Sequence, residues 1–361
     1  MKFLKFVGKT LVVLLILNLL IISIFWIRNQ VYKGSKNDEN IAYLKANHKV
    51  ISDNSNEYDF TNFFNKDFYD SKIFLLGENH GFAETQSIDL ELFKHLHQTI
   101  GVKYYLAEMD SVRAKKLNSF LNKASKDTVL LKQIVIDIKQ RIPQQSGKQL
   151  FNKWSKLYDY NHKLKQTEKI TVLGIDKDFD DESTAISRDS IMILNFQNNI
   201  KDKNIENEKF YGFFGFAHVL QEAYGENQHR SFAARLKRSY PKNKIKTFVC
   251  YNIDSEVYFP KNDQYPSPSD GKTKILNEDG PIMLVKGIND LKVLTKANSV
   301  TLFNLNSEAS PYHSSKYLSG IKVNFFGGDA LSKSPKVHTT DVLQYVFLIR
   351  NSKAIKPITA Q

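Results

Sequence analysis

Ile73-Phe74-Leu75-Leu76-Gly77-Glu78-Asn79-His80-Gly81 is the stretch on which the reading of this chain turns. Four apolar residues run unbroken into a glycine, the pattern of a short strand buried on both faces of a parallel sheet. The residues that follow change period. Over 84–99, Ile88, Leu92, Phe93 and Leu96 fall on one helical face, with Ile100 just beyond. Further strands fit Lys103 to Ala107, Ile170 to Ile175, Phe210 to Phe216 and 245–251, with helices near 182–199 and 228–238 between them. Strand and helix in alternation predict an α/β fold, a central and mostly parallel sheet flanked by helices.

Two segments interrupt the rhythm. Residues 111–168 are Lys-rich and helix-patterned and read as a helical insertion. Residues 255–295 are rich in Pro, Gly, Asp and Ser and read as a long loop. Apolar runs near 300–304, 321–326 and 342–349 are expected to complete the sheet.

Upstream, Lys2, Lys5 and Lys9 form a basic tip (residues 1–9) before an uncharged run from Thr10 to Ile27, closed by Trp26 and Arg28. A helix of that length spans roughly 27 Å, close to the hydrocarbon thickness of a bilayer. The run ends in the bulky trio Phe25-Trp26-Ile27 rather than in small residues, so a retained signal anchor over 10–28 fits better than a cleaved signal peptide. The lysines place the N-terminus in the cytoplasm and everything after Arg28 outside it, as a single-pass membrane protein. Residues 29–60 read as a polar tether with a short helix, and 61–361 as the α/β domain.

The net charge is +13 in 361 residues, spread along the chain. With no zinc-ligand cluster or RNA-binding signature, the charge suits an anionic membrane surface better than nucleic acid. The 25 Phe and 17 Tyr can bury far more surface than a disordered chain carries. The single cysteine, Cys250, precludes an internal disulfide and sits in an apolar run as an inert core thiol would.

In parallel α/β sheets, ligands bind at the carboxyl ends of the strands. Here those ends deliver Glu78 and His80, then Glu108, then Asp176, then His218, with Glu84 early in the first helix. Charge at successive strand ends is costly inside a core and calls for a solvated cleft. Singly, each has a structural role available: Glu78 and Glu84 suit a helix N-terminus, and Asp176 belongs to an acid-rich run that could cap the next helix. His95 and His97 read as surface residues, and His48, His162, His229, His313 and His338 have no evident partner. There is no G-x-S-x-G elbow, no H-E-x-x-H helix, no phosphate-binding loop and no G-x-G-x-x-G after a strand. The site therefore carries His and carboxylates without a serine or cysteine nucleophile motif.

These residues resemble the erythromycin esterase superfamily, which also holds haem-binding lipoproteins and metal-dependent membrane proteases. The opening motif is Ile73 to Gly81 with Glu84, and Ala107-Glu108 matches a second carboxylate. Ser187-Arg188-Asp189-Ser190-Ile191-Met192 is similar to an Arg-Asp-x-x-Met helix, and Phe213-Phe214-Gly215-Phe216-Ala217-His218 to a strand ending in histidine. Ser231 to Leu236 stands where the family has a serine-bearing helix. The order holds over about residues 70–252. The spacing of Glu78 and His80 is tighter than in the esterases, and one histidine, His218, stands where they have two.

The resemblance implies a hydrolase acting on an ester or related bond of a small-molecule substrate. His80 would be general base, Glu78 or Glu108 would orient it, and His218 and Arg188 would polarise the carbonyl. Glu84 and Asp176 are secondary candidates. A variant recruits a divalent metal through Glu78, His80, Glu108 and His218. The cofactor stays open, a divalent metal ahead of haem. The alternative function is a non-catalytic envelope protein binding haem or another hydrophobic ligand, with Tyr104, Tyr105, Phe214 and Phe216 near the strand ends, although core packing accounts for those rings equally simply. An inactive envelope scaffold is the third reading.

Overall fold

The computed structural model describes residues 2–34, 37–53, 57–183, 185–225, 227–261, 268–323, 330 and 334–358. Eight strands among them form one sheet: β1 (His48–Asp53), β2 (Ile73–Glu78), β3 (Tyr104–Ala107), β4 (Thr171–Gly174), β5 (Phe210–Gly215), β6 (Ile245–Ile253), β7 (Ser299–Asn304) and β8 (Tyr345–Arg350). Their spatial order is β1-β7-β8-β6-β2-β5-β3-β4. All neighbours from β8 to β4 pair in parallel, and β7 alone runs against its neighbours β1 and β8. The strand expected at Ile73 lies at the centre, with all six residues of β2 buried. Its alternate residues feed the two cores: Phe74 and Leu76 one face, Ile73 and Leu75 the other.

The helix after β2, α2 (Ala83–Ile100), packs Ile88, Leu92, Phe93 and Leu96 on the first face. Beside it lie α3 (Ser111–Asn122), α4 (Thr128–Asp137) and α5 (Lys148–His162), the helices of the Lys-rich 111–168 segment. Asp110 and Asp127 start α3 and α4 by accepting the amides of Arg113 and Leu130 at 2.8 and 2.9 Å. The second face is covered by α6 (Arg188–Lys203), through Met192 and Phe196, and by helix Phe232–Leu236. The chain thus leaves β2 toward one face and its neighbour β5 toward the other. A crevice must open between their carboxyl ends.

Several expectations are corrected. Residues 29–60 hold the expected short helix, Asp38–Ala46, but also an edge strand that was not expected, β1, paired in antiparallel register with β7. Ser35, Lys36 and residues 54–56 lie outside the described residues. The run at 321–326 does not join the main sheet. Ile321–Val323 pairs instead with Met283–Val285 in a separate ribbon, and 324–326 lie outside the described residues. The segment 255–295 has, as expected, few regular elements among its described residues, the strands Val257–Tyr258, Lys272–Thr273 and Met283–Val285 and the helix Ile288–Lys292 (262–267 lie outside the described residues). His97 is buried, bonding the Glu168 carbonyl at 2.9 Å and the Tyr160 hydroxyl at 2.7 Å. Cys250 is buried in β6, and burial pushes its thiol pKa up.

A helix, α1 (Lys2–Tyr32), precedes the domain, and its stretch Phe6–Tyr32 is long and apolar enough to cross a membrane.

Candidate active site

The crevice between β2 and β5 holds a cavity of about 350 Å³. Glu78, His80, Glu108, Arg188 and His218 all line it, with Phe216, Leu220, Tyr224, Met283, Ile321 and Val323 among the other wall residues. Parallel register brings the polar groups together: Glu78 stands level with Gly215, and Ala107 level with Phe213.

His80 sits in the turn between β2 and α2. Gly81 allows that turn with φ of 103°, where a Cβ would come within 2.5 Å of the Tyr258 carbonyl. The turn is clamped from outside, because the Gly81 carbonyl accepts the amides of Tyr258 and Ile355 at 3.0 and 2.9 Å. His80 Nδ1 lies 3.0 Å from Glu78 Oε1. Glu78 has no side-chain exposure, and its charge is met by donors from three elements. Thr85 donates to Oε2, while Gln145 Nε2 reaches Oε1 at 2.6 Å and Gln86 Nε2 at 3.4 Å. His80 retains 22% side-chain exposure. Its Nε2 lies against Gly215, where an added Cβ would sit 2.9 Å away. A glycine at that strand end leaves the ring room.

Glu108 lies at the middle of the cluster. Its Oε2 accepts the Gly215 amide at 2.5 Å, and its Oε1 accepts Arg188 Nη2 at 2.8 Å and lies 3.6 Å from His218 Nε2. Burial pushes its pKa up, but His218, His80, Arg188 and the Gly215 amide outweigh that, and the net direction is down. Arg188 opens α6 and is held against Asp176 as well, Nε to Oδ1 at 2.9 Å and Nη2 to Oδ2 at 2.5 Å. Its Nη1 has no hydrogen-bond partner among the described residues. Although burial lowers its pKa, the two carboxylates raise it further and keep the guanidinium charged.

His218 follows β5 in the short helix Phe216–Val219. Its Nδ1 is 2.7 Å from Asp189 Oδ1, and Asp189 also takes the Phe232 amide at 2.6 Å and His229 Nε2 at 2.8 Å. Adjacent residues at the start of α6 therefore serve both sides of the site, Arg188 toward Glu108 and Asp189 toward His218. Burial lowers the pKa of both His80 and His218. In each case the bonded carboxylate and the Glu108 charge win, so both lie above the ordinary histidine value. Asp189 is lowered against its burial by His218, His229 and the Phe232 amide.

The secondary candidates part company. Asp176 is buried under Arg188 as its partner, whereas Glu84 turns away to bond the Tyr58 hydroxyl and lines a separate polar cavity of about 440 Å³. Tyr105 and Phe214 are core residues, Tyr104 packs beside the core, and of the four aromatics considered for a hydrophobic ligand Phe216 faces the cavity. The residues named for a metal, Glu78, His80, Glu108 and His218, all line the cavity. Among the described residues no three His, Cys, Asp or Glu side chains are placed to hold an ion, and both oxygens of Glu78 are already engaged.

Gln145, Asp189, His229 and Glu278 were not legible as site residues. Gln145 lies between α4 and α5, far along the chain from the strand end whose Glu78 it bonds. His229 bonds Asp189 from a loop, eleven positions after His218. Glu278 is buried beside the site, receiving bonds from the Asn79 side chain and, at 2.6 Å, the Asn252 amide. Burial pushes it up to about 8. A lone acid in a Pro/Gly-rich segment gives no warning of such a position.

No family model matches the chain, and no curated protein matches it in sequence. Solved structures do match. A Bacillus cereus protein superposes with a TM-score of 0.62 at 13% identity, over 89% of this chain and 99% of that one. An erythromycin esterase variant, EreC in its open conformation, gives 0.59 at 11% identity over 87% and 99%. A succinoglycan biosynthesis protein gives 0.58 at 12% over 90% and 99%. The protein thus has an α/β fold with a histidine–carboxylate crevice at its switch point. That fold is shared with these three solved structures, the erythromycin esterase among them, at 11–13% identity.

Proposed function

We propose that the chain is a membrane-anchored, erythromycin-esterase-like hydrolase in which His80 activates water against an ester or related carbonyl. One observation carries this reading. Two imidazoles are each held through Nδ1 by a buried carboxylate, His80 by Glu78 and His218 by Asp189, and both rings line one cavity around Glu108. With the Nδ1 proton donated to Glu78, the lone pair of His80 is on Nε2, the nitrogen beside Gly215.

In the reaction, Nε2 takes a proton from water as the oxygen adds to the carbonyl carbon. The oxyanion is met by Arg188 Nη1 and protonated His218. The imidazolium of His80 then returns its proton to the departing alkoxide, leaving acid and alcohol. Glu108 balances the charge of His80, His218 and Arg188 throughout.

α1 would supply the anchor, with its lysine-bearing end in the cytoplasm and the domain on the other side of the bilayer. His80→Ala should lower turnover of p-nitrophenyl acetate by about 10²–10⁴-fold, the usual worth of a positioned general base, with the far-ultraviolet circular dichroism unchanged. Wild-type turnover in a folded His80→Ala protein would refute the assignment.

A further inference from the structure

The way α1 joins the domain constrains what can reach the cavity. The end of α1 touches the domain directly: the carbonyls of Tyr32 and Lys33 accept the amides of Gly287 and Asn289 at 3.1 and 2.9 Å. Asn29 is buried at 4% exposure, and Lys322 Nζ lies 3.9 Å over the Tyr32 ring. The backbones touch where Gly34 meets Gly287, and a Cβ on Gly34 would come within 2.9 Å of the Gly287 Cα. From Arg28, which closes the apolar run, to Tyr32 is one helical turn, about 6 Å. That is about the depth of one headgroup layer, so a bilayer around α1 would bring the domain down to its surface.

The ribbon at this junction is also a wall of the site. In it Ile321 pairs with Val285 and Val323 with Met283. Ile321, Val323 and Met283 line the cavity, whereas Lys322, pointing oppositely along the same strand, covers Tyr32 of α1. The ribbon alone therefore carries residues that line the catalytic crevice and a residue that packs on α1. Val323 stands at the rim with 51% exposure, and the wall running inward from it is apolar: Ile321, Met283, Leu220 and Phe216.

We infer that the substrate is a membrane-resident amphiphilic ester. Its acyl chain would pass over the Val323 rim along the apolar wall while its ester group reaches His80. The inference rests on the hydrolase reading and adds the substrate class and the route of entry.

The test uses full-length protein in phosphatidylcholine/phosphatidylglycerol vesicles. It offers two probes, water-soluble p-nitrophenyl acetate and vesicle-dissolved p-nitrophenyl palmitate. A Gly/Ser insertion of about ten residues between Arg28 and Asn29 leaves the docked residues in place and lets the domain move off by about 18 Å. Turnover of the palmitate should fall by about tenfold or more, with the acetate within about twofold, because the effective concentration at the membrane is lost. Equal rates on palmitate with and without the insertion would overturn the inference and leave the hydrolase reading standing.

A second measurement does not need catalysis. A diazirine-bearing acyl lipid in the same vesicles should label Met283–Val285 and Ile321–Val323 of the His80→Ala protein, and Val323→Glu should reduce that labelling. Labelling confined to α1 would overturn acyl entry at this rim, whatever the esters show. Should the wild type cleave neither ester, the hydrolase reading falls, and labelling of the ribbon still supports binding of the lipid.

Discussion

Both imidazoles at the crevice are fixed by carboxylates that water barely reaches, and this sets their pH behaviour. The free-base form of His80 is the reactive one, and its pKa is raised above the ordinary 6.5. Activity should therefore rise with pH through a midpoint above that value, and fall again as His218, also raised, loses the proton it offers the oxyanion. Glu78→Gln removes one of the two carboxylates that raise it and leaves Glu108 alone against burial, so the rising limb of the kcat/KM profile should move to lower pH as the rate falls. An unmoved midpoint would show that Glu78 does not orient or tune this ring. Glu78, His80, Glu108 and His218 were legible because polar residues directly after apolar strands have few structural uses. Gln145 and His229 were not, since each reaches its carboxylate from a segment whose own pattern is ordinary.

Helix α5 is tied to α2 by a buried ion pair. Its Lys153 is buried and lies 2.7 Å from Asp89 of α2, and Asp89 also accepts the hydroxyls of Tyr105 and Tyr211. Lys153→Ala leaves that carboxylate short of its counter-charge in the core and should cost about 3–5 kcal/mol of unfolding free energy, read from urea denaturation in detergent. A change below about 1 kcal/mol would mean that the tyrosines satisfy Asp89 alone. Helix α2 was read from its apolar face to within a residue or two of its ends. The edge strand β1 was missed for a physical reason: in His48-Lys49-Val50-Ile51-Ser52-Asp53 only Ile51 is an apolar residue that becomes buried, and an edge strand needs no two-sided apolar run. Residues 283–285 and 321–323 are likewise too short to announce a pairing.

Across the whole molecule, the charges at the site link stability to pH in two directions. The raised values of His80 and His218 contribute stability that is complete below about pH 6.5 and is lost as pH rises through the folded values. The lowered values of Glu108 and Asp189 contribute stability present above their ordinary values, 4.5 and 3.8, and lost as pH falls through the folded ones. Urea midpoints should therefore be highest near pH 5.5, lower at about pH 3 and at about pH 8.5, and flattened on the alkaline side in a His80→Ala, His218→Ala protein. A wild-type midpoint still climbing at the alkaline end would contradict this account. The site would then be most stable where its base is least reactive, a common relation between strain and function. The amino-acid sequence by itself determined the α/β class, the apolar N-terminal helix and the polar residues at the strand ends, because those follow from local periodicity and from the cost of burying charge. Only the tertiary structure decided that β5 inserts between β2 and β3, that Arg188 and Asp189 divide their partners between two sides of one crevice, and that α1 docks on the ribbon walling that crevice. Those outcomes depend on contacts between residues far apart in the chain, whose energies leave no periodic trace along it.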